Sequence, residues 1–294
     1  MSRDAVDLDR PDWAVDPATA AELCGAFIRE TLSAAGLEQL VVGLSGGIDS
    51  AVAAGLAVRA LGADKVRGVM MPYATSSESS ITDAVAVAEA LGMAVENVEI
   101  TTMADAFLAA APGADPIRRG NVMARCRMIV LYDRSARDRS LVLGTGNRTE
   151  ALLGYTTLFG DSACAMNPVG QLYKTEIRLL SQWLGLPREL LLKAPSADLW
   201  AGQTDEQELG FTYAEVDRLL VHLVDQRLGT RQLHALGFAP EMVDKVANRV
   251  RRMRFKRVAA PTAAVPGRID PDGTQADDDR VGDENADWKD GGFH

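Results

Sequence analysis

Short apolar runs alternate with longer segments of helical periodicity through the first half of the chain. The runs are rich in Val, Leu, Ile and Met, and turn residues such as Gly or Pro bound them. The runs predict strands over 40–44, 66–71, 95–100 and 141–144, and the intervening periodicity predicts helices over 17–36, 48–61, 82–91 and 121–137. This alternation predicts an α/β fold, a doubly wound parallel sheet with helices on both faces. Sheets of this kind bind ligands at the carboxyl ends of their strands.

The second half of the chain is mainly helical in pattern and ends in a polar tail. Helices are predicted over 174–184, 213–226, 230–236 and 240–254. Residues 1–16 are predicted to be a flexible lead, because Asp16 and Pro17 are typical of a helix N-cap and first helical position. Residues 261–294 are rich in Pro, Gly and Asp, so we predict a disordered tail. One domain is therefore expected over 17–260, with a helical C-terminal part.

Composition and charge narrow the functional classes. The formal net charge is −10, and the tail carries nine acidic against three basic residues, so the domain itself is only mildly acidic. A mildly acidic domain argues against a nucleic-acid partner. No apolar run approaches the ~20 residues that span a bilayer, so no membrane partner is expected. The cysteines, Cys24, Cys126 and Cys164, are widely spaced, which favours neither disulfides nor a metal site and makes the cytoplasm the expected location.

The segment Gly43–Ser50, with the sequence Gly-Leu-Ser-Gly-Gly-Ile-Asp-Ser, lies between the first predicted strand and the next helix. Adjacent glycines let the backbone approach an anion, the serines offer hydroxyls, and the helix directs its first N–H groups to the same place. No lysine follows the glycines, so the loop differs from that of kinases and GTPases. A tight turn capped by serine, with Asp49 as a first-turn acid, is the structural alternative.

The string Ser-Gly-Gly-Ile-Asp-Ser resembles the loop of the N-type ATP pyrophosphatases. In that superfamily, which is Rossmann-like and described as adenine nucleotide alpha hydrolase-like, the loop holds the pyrophosphate of ATP as a leaving group. Further blocks are similar, in order and in spacing, to ammonia-dependent NAD synthetases. They lie at 120–128, 143–150, 154–161, 167–168, 172–175, 194–200, 202–206 and 255–257. The resemblance covers about residues 17–260 and implies a homodimer.

The resemblance implies a role for each matching residue. The implied ATP-binding residues are Gly43, Leu44, Ser45, Gly46, Gly47, Ile48, Asp49, Ser50, Thr145, Lys174 and Ser196. Asp49 and Glu150 match ligands of Mg²⁺, a hard cation that prefers carboxylate oxygens. Arg125, Asp161 and Lys256 match the region that contacts deamido-NAD, with Asp161 either a turn residue or a neighbour of the substrate. The expected catalytic residues are Ser45, Asp49 and Lys174.

The reaction implied by the resemblance is ATP-dependent amidation of deamido-NAD by ammonia, giving NAD, AMP and pyrophosphate, the last step of NAD biosynthesis. ATP would adenylate the nicotinate carboxylate, because an acyl-adenylate is a far better acyl donor than a carboxylate. Neither 1–16 nor 261–294 is long enough for an amidase domain that would release ammonia from glutamine. Free ammonia, or ammonia delivered by a separate subunit, is therefore the expected nitrogen donor.

Three positions depart from the pattern of many bacterial members of the family. Those members have a lysine at the position of Leu158, an aspartate near Ala165 and a histidine near Phe255, and all three contact the dinucleotide. The departures favour, as the nearest alternative, a related adenylating ligase that acts on a different carboxylate. A tRNA-thiolating enzyme fits less well, because the chain lacks a reactive cysteine pair. A non-catalytic nucleotide sensor is the remaining alternative, and the pair Asp49 and Glu150 argues against it.

Overall fold

Four parallel strands form the centre of the computed structural model, which describes Leu8, residues 10–193 and residues 210–261. The strands are β1 (Gln39–Gly43), β2 (Val66–Met70), β3 (Ala94–Asn97) and β4 (Ser140–Leu143), in the spatial order β3-β2-β1-β4. In register, Leu40 of β1 lies opposite Val66 on one side and Leu141 on the other. The strand order reverses between β1 and β4, which is where sheets of this type form a ligand crevice.

Eleven α-helices lie within the described residues. They are α1 (Pro17–Ala35), α2 (Ile48–Leu61), α3 (Glu78–Leu91), α4 (Thr101–Leu108), α5 (Pro116–Asp138), α6 (Arg148–Leu153), α7 (Lys174–Trp183), α8 (Glu189–Leu192), α9 (Tyr213–Leu220), α10 (Thr230–Ala235) and α11 (Pro240–Arg252). A π-helical turn (Val221–Asp225) continues α9, and short 3₁₀ turns lie at Ala63–Lys65 and Arg254–Lys256.

The two faces of the sheet are buried by different helices. Leu40 and Val42 of β1 pack into a core with α1, α2, α3 and α7, whereas Val41 packs into a second core with α4 and α5. All three side chains are buried, because successive residues of a strand point to opposite faces. The predicted doubly wound α/β fold is confirmed.

The C-terminal part forms a third apolar cluster of its own. Leu153 of α6 and Tyr173 pack there against Val216, Leu219 and Leu233 of the later helices. The predicted helical character of this part is confirmed. α6 and Tyr173 lie at the carboxyl end of the sheet, so the cluster supports one wall of the crevice.

Several boundaries differ from the prediction, and capping explains most of them. α3 begins at Glu78 because the Ser77 hydroxyl caps its first turn, and α5 begins at Pro116 because Asp115 caps it. β3 ends at Asn97, short of the predicted 100, and the unpredicted α4 follows Ile100. The predicted helix 213–226 is α9 followed by the π-helical turn.

The predicted lead and tail fall partly or wholly outside the description. Residues 1–7, 9 and 262–294 lie outside the described residues, as does the segment 194–209 with its two sequence blocks. The described end of the lead packs on the domain: Ala14 is buried and the Val15 N–H donates to the Glu176 carboxylate at 2.9 Å. Across the described part of the chain, no helix combines the length and apolarity needed to span a membrane.

Candidate active site

The loop Gly43–Ser50 leaves the carboxyl end of β1 and leads directly into α2. Gly47 is the N-cap of α2 and has no side chain to satisfy the first N–H groups of the helix. Ser50 Oγ accepts from the Ser45 N–H at 3.3 Å and donates to the Gly47 carbonyl at 2.9 Å. The hydroxyls therefore brace the loop, and the N-terminus of α2 presents the partial positive charge that favours an anion.

Gly46 occupies a position that only glycine fits. Its φ is +75°, and a Cβ atom at this residue would lie 2.1 Å from the carbonyl oxygen of Ser80. The loop therefore packs directly against the first turn of α3. This contact fixes the position of the loop backbone relative to α3 at the crevice.

Lys174, the first residue of α7, lies between two carboxylates from different helices. Its Nζ pairs with Asp49 of α2 and lies 3.5 Å from Oε1 of Glu150 in α6. The Lys174 side chain is 4% exposed and each carboxylate is 18% exposed, so the cluster is mostly withdrawn from water. The two carboxylates offset the cost of burying the lysine charge.

Asn147 connects the same carboxylates and was not identified from the sequence. It is fully buried, and its Nδ2 donates to Asp49 Oδ1 at 2.7 Å. Its Oδ1 accepts from the Glu150 N–H at 2.9 Å, and Glu150 accepts in return from the Asn147 N–H. This reciprocal capping box, Asn followed three residues later by Glu, is a sequence signal that could have predicted both α6 and the link.

A cavity of about 620 Å³ opens at the carboxyl end of the sheet and gathers most of the predicted site residues. The whole loop lines it, together with Thr145, Glu150, Asp161, Lys174 and Lys256. Arg125 is exposed on α5 and lies outside the lining; its guanidinium donates to the Leu158 carbonyl at 3.2 Å. Ser196 falls in the segment outside the described residues.

Comparison with known proteins identifies the family. A sequence model described as NAD synthase matches residues 20–260, most of the chain. The chain belongs to the NAD synthase family. It is 51% identical over 247 residues to an NH₃-dependent NAD⁺ synthetase of Trichlorobacter lovleyi, covering 84% of this chain and 90% of that protein. The protein of the same name from Chlorobaculum parvum is 47% identical over 261 residues, covering 89% and 94%.

Solved structures of the family agree with the fold. An NMN synthetase from Francisella tularensis superposes with a TM-score of 0.76 at 32% identity, covering 85% of this chain and all of that one. An NH₃-dependent NAD synthetase from Campylobacter jejuni, in complex with nitrate, has a TM-score of 0.73 at 33% identity and the same coverage. The assignment to the superfamily fold is thus confirmed.

In this member of the NAD synthase family, two residues that are predicted to bind the substrate also make hydrogen bonds within the wall of the cavity. Lys256 Nζ donates to the carbonyls of Gly154 at 2.9 Å and Thr156 at 2.6 Å, and burial lowers its pKa. The Asp161 carboxylate accepts from the Thr156 hydroxyl at 2.6 Å and the Thr157 N–H at 2.7 Å. Both side chains hold the loop that follows α6 and still line the cavity.

The departures from the family pattern lie away from the cavity wall. Leu158 is half-buried, Ala165 is exposed and Phe255 is 54% exposed, and none of these three described residues lines the cavity. The part of the site built by the loop, Lys174 and the two carboxylates is therefore untouched by them.

Asp217 of α9 makes hydrogen bonds to the helices that carry Glu150 and Lys174. It is fully buried and accepts from the Thr149 hydroxyl at 2.5 Å, the Thr175 N–H at 2.8 Å and the Thr175 hydroxyl at 2.7 Å. Thr149 Oγ1 accepts in turn from the Lys174 N–H at 3.0 Å. One carboxylate thereby ties the first turn of α6 to the first turn of α7, next to Glu150 and Lys174.

Asp217 gives the fold a testable pH dependence. Burial raises its pKa from 3.8 to about 6, so between these values the folded state binds a proton that the unfolded state releases. The free energy of unfolding should therefore fall, by an amount on the order of 3 kcal/mol, as pH rises from about 4 through 6. Urea unfolding at several pH values should show that Asp217→Asn removes this component of the slope. Parallel slopes for the variant and the wild type would contradict the assignment.

Proposed function

We propose that this chain catalyses the ATP-dependent amidation of deamido-NAD by ammonia, a C–N ligase reaction that yields NAD, AMP and pyrophosphate. The observation that carries the proposal is the joining of the loop Gly43–Ser50 to the Lys174–Asp49–Glu150 cluster at one end of one cavity. The curated relatives at 47–51% identity have names that give the same activity.

The proposed chemistry divides between the loop and the cluster. The nicotinate carboxylate attacks the α-phosphorus of ATP, the α–β phosphoanhydride bond breaks, and pyrophosphate leaves. Backbone N–H groups of the loop and the N-terminus of α2 would hold the leaving group, and Lys174 would place a positive charge beside it. Ammonia then attacks the acyl carbon, AMP leaves, and the nitrogen releases a proton as the amide forms. The protein mainly positions two large anions.

Asp49 and Glu150 are the residues proposed to hold Mg²⁺. They fit the ion because their carboxylates converge on one point, the Lys174 ammonium, from separate helices. Mg²⁺ takes one or two protein carboxylates and completes its shell with phosphates and water. When bound, the ion would neutralise phosphate charge.

The alternative within this proposal is that the acid substrate is a mononucleotide and not the dinucleotide deamido-NAD. The Francisella tularensis neighbour bears the name NMN synthetase, so a related protein is named for a mononucleotide product. Leu158, Ala165 and Phe255, the three positions that depart from the family pattern, lie outside the cavity lining. Nicotinate mononucleotide is therefore the acid to compare with deamido-NAD.

An assay that follows product formation over time tests the proposed reaction. With ATP, Mg²⁺, ammonium and deamido-NAD, NAD and AMP should form in equal amounts, and Asp49→Ala should lower the rate at least about a hundredfold. Asp244→Ala, which removes an exposed carboxylate on α11, is the matched control and should keep wild-type activity. Faster turnover of nicotinate mononucleotide would make the mononucleotide the substrate. No AMP with either acid would refute the activity.

We also propose that the chain forms a homodimer and works in the cytoplasm. Support for the dimer is an exposed stripe on α5, formed by Arg125, Ile129 and Tyr132 at helical spacing (the α5 stripe). Ile129 is 52% exposed and Tyr132 is 40% exposed, which is unusual for neighbouring apolar side chains. The cytoplasm accords with three free thiols, Cys24, Cys126 and Cys164.

Light scattering after size exclusion tests the dimer. The wild type should have about twice the monomer mass of 31.5 kDa, and Ile129→Asp should reduce the mass to that of one chain, because it buries a charge in the interface. Phe107→Asp, at an apolar residue of α4 that is 61% exposed and lies outside the α5 stripe, should leave the mass unchanged. A monomeric wild type would refute the proposal.

A further inference from the structure

A second lysine lies at the wall of the cavity. Lys193 directly follows α8, and its side chain is 34% exposed. Its Nζ donates to Asp83 Oδ2 at 2.7 Å and to Ser80 Oγ at 3.2 Å, both on α3. Lys193 and Ser80 line the cavity, whereas Asp83 does not. The Lys193 ammonium is therefore held at the cavity wall by the Asp83 carboxylate, which lies outside the cavity lining.

Ser80 connects this lysine to the phosphate loop. The main chain of Ser80 is the surface against which Gly46 packs so closely that a Cβ would overlap it. The Lys193 ammonium thus sits one residue away from the glycine end of the loop. Lys174 sits at the other end, beside Asp49. The loop is flanked by two lysines.

The charges around the loop give the second lysine a role. Lys174 is opposed by two carboxylates, Asp49 and Glu150, so that cluster is net negative by itself. Other cations of the lining, Arg127, Arg178, Arg249 and Lys256, donate to main-chain carbonyls of Met71, Leu191, Leu153 and the 154–156 turn. Among the described residues, the Lys193 ammonium donates to side chains only, and a lysine is a compact charge on a flexible stem.

We propose that Lys193 is a second phosphate-binding lysine, which contacts the pyrophosphate portion of ATP at the Gly46 end of the loop. The inference rests on the proposed function and extends it. Lys193 turns from Asp83 toward the bound phosphates, shares the charge of the leaving group with Lys174, and returns to Asp83 when pyrophosphate departs. It is a residue that touches substrate, and Asp83 is its resting partner.

The simplest competing explanation is that the Lys193–Asp83 pair is a structural ion pair that holds α8 against α3. The two explanations differ in what the loss of Asp83 does. If the ion pair is only structural, removal of either partner should change pyrophosphate affinity in the same way. If Lys193 binds phosphate, pyrophosphate affinity should fall only when the lysine is removed. Asp83→Asn leaves Lys193 charged and takes away the carboxylate that competes with phosphate for it.

Calorimetric titration of the intact chain with inorganic pyrophosphate and Mg²⁺ tests the proposal. Lys193→Met should weaken pyrophosphate binding by about tenfold or more, the loss of one charge-assisted hydrogen bond. Lys193→Arg should stay within about threefold of wild type, and Asp83→Asn should bind as tightly as wild type or more tightly. In steady-state assays the KM for deamido-NAD should be the same in all variants. Lys193→Gln, which keeps a donor toward α3, replaces Lys193→Met if the latter unfolds.

Two results would overturn the proposal. One is wild-type pyrophosphate affinity in Lys193→Met or Lys193→Gln, and the other is equal weakening by Lys193→Met and Asp83→Asn. The titration needs no turnover. A wild-type chain that binds pyrophosphate through Lys193 but makes no NAD would refute the proposed function and leave the lysine assignment standing.

Discussion

The Lys174 ammonium, placed between Asp49 and Glu150, is the interaction on which the site depends. Each of the three residues belongs to the first turn of a different helix, α2, α6 or α7. A buried lysine without partners would cost several kcal/mol, so the pairings hold the three helix starts together as well as placing charge. The phosphate loop is thereby fixed at one end by this cluster and at the other by the contact between Gly46 and Ser80.

The same arrangement explains why the supporting residues are polar and buried. Asn147 and Asp217 have no exposed surface, yet Asn147 makes hydrogen bonds to the first turns of α2 and α6, and Asp217 to those of α6 and α7. Such groups are costly to bury unless every bond is made, so they fix one geometry for the cluster. The site is therefore rigid where ATP phosphates would bind.

Much of this architecture was predictable because its signals are local. The strand β1, the glycine loop and α2 follow each other within residues 39–61, and pattern, turn chemistry and capping all indicate the same structure there. α2 was predicted with both ends correct, since Gly47 and Gly62 bound it. The ordered blocks of the family resemblance then predicted which residues share the cavity, and the structure places Thr145, Glu150 and Lys174 there.

The remaining parts could not be predicted because they depend on contacts between distant segments. Asp217 looks like one acid of an amphipathic helix, and only the fold brings it to Thr149 and Thr175. Lys193 precedes a recognised block, but its position at the cavity follows from α8 packing near α3. Arg125 was predicted from the resemblance as a substrate contact, and its place on the outer surface of α5 is a property of the tertiary structure.

In the proposed reaction, ATP activates the substrate carboxylate by adenylation. Deamido-NAD labelled with ¹⁸O in both nicotinate carboxylate oxygens tests it most directly, with mass spectrometry of the nucleotide and phosphate products. Attack of the carboxylate on the α-phosphorus predicts that each AMP carries one ¹⁸O atom, that the NAD amide keeps the other, and that pyrophosphate is unlabelled. Unlabelled AMP, or label in pyrophosphate or inorganic phosphate, would contradict adenylation of the carboxylate.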